Sequence, residues 1–338
     1  MKKTILLISG LLLLVHFSYS QCTFNNPLME GADPHASFHN GKYYLLVTRA
    51  DRITIKSAPR LQDIGPLTEI NAWNYKNTPV GGHVWAPELH FIDDDWYIYS
   101  CGQNTGIDSN TSWVQYVEGR QEMFVLKSIT GDPLGPYEFD SWLMPGIGAI
   151  DETIFTNTDG KRYIIWSQFN VPGRVQNQFL YIAELLSPTS IGVERVMISY
   201  PDQPWELHGW PVNEGAAVLQ KNGLTYIVYS GSGYRTPEYA LGYLVNTDGD
   251  LLNPASWTKV GPVFQQNPEG GVYSTGHNSF TTSPDGTEDW IVYHSAKHSG
   301  AGWNRRVNMQ RFTWHPDGSP NFGRPVSSGV PMPEPSGD

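Results

Sequence analysis

Residues 213–230 read NEGAAVLQKNGLTYIVYS: an acid, a short apolar run, Asn-Gly, then an aromatic-rich apolar run. Asn-Gly enters the left-handed turn conformations readily, so two β-rich runs on either side of it fold back as a hairpin. The same plan recurs as HASFHNGKYYLLVT (35–48), PELHFIDDDWYIYS (87–100), DETIFTNTDGKRYIIWS (151–167) and HNSFTTSPDGTEDWIVYHS (277–295). Each copy begins within two residues of a polar leader: Asp33, Glu88, Asp151, Glu214 and His277, the last four spaced 63 residues apart. A period of about sixty residues accommodates four short strands with their turns, one blade of a propeller. The expectation is an all-β, five-bladed β-propeller occupying residues 21–338 as one domain. A pair of β-sandwiches would not give five copies at near-constant spacing.

The rest of the chain agrees. Of 338 residues only 16% are charged and 13% are aromatic, with 34 Gly and 25 Pro, a composition of turns and strands rather than of disorder or coiled coil. The net charge of −11 argues against a nucleic-acid partner, whose phosphates nothing here would neutralise. Lys2 and Lys3 precede an apolar run (5–15) and the small-residue exit Ser18-Tyr19-Ser20. That run is too short to span a bilayer, so residues 1–20 read as a secretory signal and the mature protein as periplasmic or extracellular, with no membrane span. Cys22 follows the exit, but Tyr19 and Gln21 are poor neighbours for a lipidated cysteine, and lipoprotein anchoring is not expected. Cys101 is the one other cysteine, so a single disulfide is permitted without being required.

The leaders carry the chemistry. In a propeller the innermost strands line a central channel, and equivalent positions converge on one mouth. Asp33, Asp151 and Glu214 are carboxylic acids with no adjacent base, and an unpaired buried carboxylate costs several kcal/mol. Separated carboxylates in one pocket suit glycosidic bond hydrolysis, in which one donates a proton to the leaving oxygen and another activates water. Like-charge crowding raises the pKa of one member. From the residues alone, an all-carboxylate Ca²⁺ site and plain inner-strand polarity remain open.

Ala32-Asp33-Pro34-His35, Gly82-His83-Val84-Trp85-Ala86-Pro87-Glu88, Asp151-Glu152-Thr153-Ile154-Phe155, Val212-Asn213-Glu214-Gly215 and Gly276-His277-Asn278-Ser279-Phe280 occur in that order. Together they resemble glycoside hydrolase family 43 over residues 30–325. With Leu252-Asn253-Pro254-Ala255-Ser256-Trp257, the likeness is strongest to its exo-acting α-L-arabinofuranosidases. The resemblance implies a five-bladed propeller that hydrolyses arabinofuranosides or xylosides with inversion. It implies Asp33 as general base, Glu214 as general acid, and Asp151 as the acid that orients Glu214 and holds its pKa up. It implies Trp85 as a sugar platform, with His35 and His83 as donors to sugar hydroxyls. Glu88 reads as a structural or substrate-orienting carboxylate. Of Arg305 and Arg306, Arg306 is assigned to the substrate. His277 is implied in holding a hydrated cation, Ca²⁺, in the central channel; no organic cofactor is expected. The segment 102–122, with Trp113 and Tyr116, is a candidate pocket wall. The leading function is release of terminal L-arabinose from α-linked arabino-oligosaccharides or arabinan. β-Xylosidase, endo-arabinanase, a non-catalytic carbohydrate-binding propeller and a protein-interaction propeller are the alternatives.

Overall fold

The computed structural model describes residues 22–106, 121–171 and 174–337. The expected signal and the greater part of the candidate wall, including Trp113 and Tyr116, lie outside the described residues.

Five antiparallel sheets form the blades of a β-propeller. Blade 1 runs His35–His39, Lys42–Leu46, Arg52–Ala58 and Ile70–Asn74. Blade 2 runs Trp85–Ile92, Asp95–Gln103, Gln121–Ser128 and Tyr137–Trp142. Blade 3 runs Ala149–Thr156, Arg162–Val171, Arg174–Ser187 and Val196–Ser199. Blade 4 runs Asn213–Lys221, Leu224–Gly231, Ala240–Asn246 and Trp257–Phe264. Blade 5 takes three strands from the C-terminal part, Tyr273–Thr282, Asp289–Ala296 and Arg305–Trp314, and borrows Met29–Glu30 from the N-terminal part. The borrowed strand closes the ring. A second ribbon, Thr23–Asn25 against Pro331–Pro333, ties both ends of the described chain together.

The quoted repeats are the first two strands of each blade. Three of those hairpins turn through two left-handed residues, Asn40-Gly41, Asp93-Asp94 and Asn222-Gly223, as the sequence signal requires. The acidic run at 93–95 is thus a turn, and Asp93 pairs with Arg162 across the blade boundary at 2.5 Å.

Strand alternation explains the aromatic doublets. Successive side chains leave opposite faces of a strand, and each face of a blade abuts a neighbouring blade. In blade 1, Tyr43 and Leu45 pack against Trp290 and Val292 of blade 5, whereas Tyr44 and Leu46 pack against Leu89 and Trp96 of blade 2. In blade 4, Ile227 and Tyr229 join blade 3, and Tyr226 and Val228 join Ile291 and Tyr293 of blade 5. Every such side chain is buried on both sides of its strand, which contributes about 1.5–3 kcal/mol apiece. The core is therefore a ring of inter-blade seams, and the polar residues are left for the channel. Cys22 is exposed and Cys101 buried, and both are free thiols. Among the described residues no helix is long and apolar enough to cross a membrane.

Candidate active site

In blades 2 to 5 the innermost strand contains a bulge, whereas the first strand of blade 1 pairs in unbroken register. Pairing slips between Trp85 and Glu88, Ile150 and Thr153, Glu214 and Ala217, and Gly276 and Ser279. A left-handed residue sits in each slip: Ala86 (φ 45°), Asp151 (58°), Gly215 (58°) and His277 (43°); Asp33 (53°), just ahead of blade 1, completes the ring. A bulge re-aims its side chains relative to the regular pleat, which is why such irregularities gather at functional sites. This ring corrects the sequence register. The structural equivalents are Asp33, Ala86, Asp151, Gly215 and His277; Glu214 stands one residue ahead of its bulge and Glu88 two residues beyond.

Asp33 is 7% exposed and saturated with partners. Arg305 Nη1 donates to its Oδ1 at 2.8 Å and Thr48 Oγ1 donates to its Oδ2 at 2.7 Å. His277 Nδ1 and His294 Nδ1 lie 3.4 and 3.3 Å from Oδ1. Burial alone would favour the neutral acid, but the Arg305 guanidinium, with His277 beside it, overcomes it and holds Asp33 well below the ordinary carboxylate range. His294 accepts the Asp33 backbone N–H on Nδ1 at 3.1 Å, and burial beside Arg305 drives its pKa down to about 3.

The other two acids are pushed the opposite way. Burial raises Glu214 to about 7, against a 2.9 Å hydrogen bond from the Tyr239 hydroxyl that favours the carboxylate. Asp151 is raised by burial and by the charges of Glu214 and Asp33, opposed by the Gly215 N–H that reaches its Oδ2 at 3.2 Å. His277 Nδ1, 3.8 Å from Asp151 Oδ2 as well as close to Asp33, bridges the two aspartates. Burial lowers the His277 pKa. The site thus contains one acid held ionised and two whose proton affinity is raised.

Each acid has its own scaffold. Asn213, next to Glu214, donates to Glu206 Oε1 at 2.8 Å and accepts from Ser199 Oγ at 2.6 Å. Fully buried Glu206 also accepts from Tyr229 OH (2.7 Å) and Lys259 Nζ (3.0 Å). Gly215 must be glycine: besides its positive φ, a Cβ there would meet His277 Cγ at 2.9 Å. Gly276 likewise leaves room for the Tyr239 ring.

Other sequence expectations divide. Trp85 stands at the mouth, 5.8 Å from Trp303, which is 51% exposed and packs 4.9 Å from Tyr234. The Arg305 guanidinium lies over both Tyr234 (4.8 Å) and Trp303 (5.1 Å). His83 is exposed beside Trp85. The assignment of Arg306 to the pocket is corrected: its Nη2 donates to the Lys297 carbonyl at 3.0 Å, and Arg305 is the arginine that reaches Asp33. Adjacent residues of one strand face opposite ways, and only register decides between them. His35 also turns aside, with Nε2 on the Leu89 carbonyl at 3.1 Å and Nδ1 toward Glu88.

The protein groups around His277 leave few oxygens of their own for calcium, so that most of the ligands of a cation there would have to be water. Ca²⁺ takes six to eight oxygens, whereas His277 offers nitrogen, Asp33 is already committed to Arg305, and Asp151 to the Gly215 N–H. Tyr239, His294 and Trp303 were not singled out from sequence. His294 carried a signal, a lone imidazole inside the apolar strand IVYHS; Tyr239 carried none.

Five sheets in a ring, with three buried carboxylates of opposed proton affinity at one mouth, define a β-propeller with an acid–base pocket. The chain belongs to the glycosyl hydrolases family 43, whose family model matches residues 24–320. It is 38% identical over 328 residues to the extracellular exo-α-(1→5)-L-arabinofuranosidase of Streptomyces avermitilis, aligning 91% of this chain with 65% of that protein. The protein of the same name from Streptomyces chartreusis is 31% identical, over 84% of this chain and 85% of its own length. The crystal structure of α-L-arabinofuranosidase from Lactobacillus brevis superposes with a TM-score of 0.81 at 32% identity, covering 91% of this chain and 98% of that one. The chain spans just under two thirds of the S. avermitilis relative and 64% of the Humicola insolens α-L-arabinofuranosidase 43.

Proposed function

We propose that this protein is an exported, inverting glycoside hydrolase that releases terminal L-arabinofuranose from α-linked arabino-oligosaccharides or arabinan side chains. One observation carries the reading: Asp33 and Glu214 share a pocket whose environments drive their proton affinities apart. Asp33, ionised, accepts a proton from water as the water oxygen bonds to the anomeric carbon. Glu214, protonated, gives its proton to the glycosidic oxygen as the bond from carbon to that oxygen breaks. Attack opposite the leaving group inverts the anomeric centre, and solvent exchange then returns both carboxyls to their starting states. Asp151, its proton affinity raised by burial and by the neighbouring acids, accepts the Gly215 N–H and fixes that turn. Trp85 and Trp303 offer aromatic faces to the apolar side of the sugar, worth about 0.5–1.5 kcal/mol beyond burial, and Arg305 orients Asp33. The names of the relatives supply the sugar, and the word extracellular in two of them supports export.

The test is a parallel assay on p-nitrophenyl α-L-arabinofuranoside, its β-D-xylopyranoside counterpart and linear arabinan. NMR reads the first-formed anomer. Arabinofuranoside cleavage with inversion is expected. Glu214→Gln should keep part of its rate on the aryl glycoside, whose leaving oxygen needs no proton, while Asp33→Asn loses it on every substrate. Preference for the xyloside, or retention of configuration, defeats the proposal.

A further inference from the structure

Glu88 and His90 leave the same side of one inner strand of blade 2, two residues apart, and meet His35 of blade 1. The nitrogen and oxygen atoms of the three lie within 4.8 Å of one another. His90 Nε2 is 2.8 Å from Glu88 Oε2, and His35 Nδ1 is 3.6 Å from Glu88 Oε1. The His35 tautomer is fixed by its other nitrogen. A backbone carbonyl only accepts, so the 3.1 Å contact to Leu89 O places the proton on Nε2. In the neutral ring, Nδ1 then presents a lone pair, buried and without a hydrogen-bond partner, to a carboxylate oxygen. Two acceptors facing one another at that distance call for a positive charge between them.

We propose that His35, Glu88 and His90 form a binding site for a d-block dication, zinc foremost, that ties blade 1 to blade 2. Three features support it. Two imidazoles and one carboxylate are a borderline-soft donor set that suits zinc and disfavours calcium. A ligating histidine commonly donates its second ring N–H to a carbonyl or carboxylate, as His35 does to Leu89. A tetrahedron with bonds of about 2.1 Å has edges of about 3.4 Å, so the 3.6 Å gap already fits and the 2.8 Å gap must open by a fraction of an ångström. The three side chains are 13%, 12% and 15% exposed, leaving an approach for the ion and a position for water. The competing account is a metal-free triad in which His35 carries two protons and Glu88 accepts from both rings.

The probe is Zn²⁺, titrated calorimetrically into chelator-stripped, tag-free protein, with metal content measured after dialysis. One ion per chain is expected. His90→Gln and Glu88→Gln should each weaken binding at least tenfold while Asp33→Asn leaves it unchanged. Melting of the metal-free variants separates lost binding from lost folding. Co²⁺ in the unmutated protein gives an independent readout, the intense visible absorption of a four-coordinate nitrogen and oxygen site. Absent stoichiometric uptake, unchanged affinity in both variants, or loss of binding in Asp33→Asn would each overturn the proposal.

Discussion

Replacing Tyr239 by Phe isolates the one hydrogen bond that favours ionised Glu214 from its own blade. The Tyr239 hydroxyl donates to Glu214 Oε1 at 2.9 Å, and its ring is fully buried, stacked at 5.7 Å and 5° on His294. Phe retains that packing and removes only the donor. A hydrogen bond to a charged acceptor contributes about 1.5–3 kcal/mol and one to a neutral acceptor about 1 kcal/mol. The difference, near 1.4 kcal/mol, corresponds to about one pKa unit. Glu214 sits at about 7 with the bond present. The general acid is active when protonated, so activity falls as pH rises through that value. Without the hydroxyl the alkaline limb should move up to about 8, and the protonated fraction at pH 8 should rise about fivefold. The assay is kcat/KM against pH on an unactivated arabino-oligosaccharide, each enzyme normalised to its own plateau. An alkaline limb that stays in place or moves down would refute Glu214 as the acid and Tyr239 as its tuner.

Removing the charge at Arg305 (Arg305→Met) should raise the acid limb of the same profile, because Asp33 loses the cation that holds it ionised. The Arg305–Asp33 pair stabilises the fold above the ordinary carboxylate range and is lost as pH falls through the depressed Asp33 value; breaking it leaves a buried carboxylate and should cost about 3–5 kcal/mol in denaturant unfolding at pH 7. Glu206→Gln removes the charge opposite Lys259 and disturbs the anchor of Asn213; a loss of about 3 kcal/mol with a fall in kcat is expected, and unaltered thermal unfolding would show the network to be idle. Gly215→Ala forces a Cβ against His277 at positive φ, so about 1–3 kcal/mol of stability and at least tenfold in kcat should be lost. A variant matching the parent in both would contradict the close approach of these two bulges.

The architecture was legible because it repeats. Asn40-Gly41 and Asn222-Gly223 announce hairpins by local chemistry, and doublets such as Tyr43-Tyr44 announce strands with apolar neighbours on both faces. The site was legible only as far as identity outruns geometry. Asp33 and Asp151 are found by position, but constant spacing aligned Glu214 and Glu88 with them, and neither is their structural equivalent. Blades 2 and 4 put Ala86 and Gly215 in the bulge, and a one-residue offset is invisible without pairing partners. The same blindness exchanged Arg305 for Arg306. Tyr239 stands just ahead of the third strand of blade 4, where no periodic pattern marks it, and His294, on the second strand of blade 5, shows only as a lone imidazole in an apolar run.

That offset at Glu214 has a mechanistic consequence. If the acid occupied the left-handed position itself, as Asp33 and Asp151 do, it would stand in the same ring and meet the same bridging imidazole of His277. Glycine at 215 lets the chain take the left-handed bend without a side chain, and its N–H is spent on Asp151. Glu214, one step earlier, is carried to Tyr239, just ahead of the third strand of its own blade, while Arg305 pairs with Asp33 at the start of the next blade. One residue of register therefore separates an acid paired directly with a cation from an acid bonded to a phenol, and that difference helps keep one ionised while the proton affinity of the other is raised.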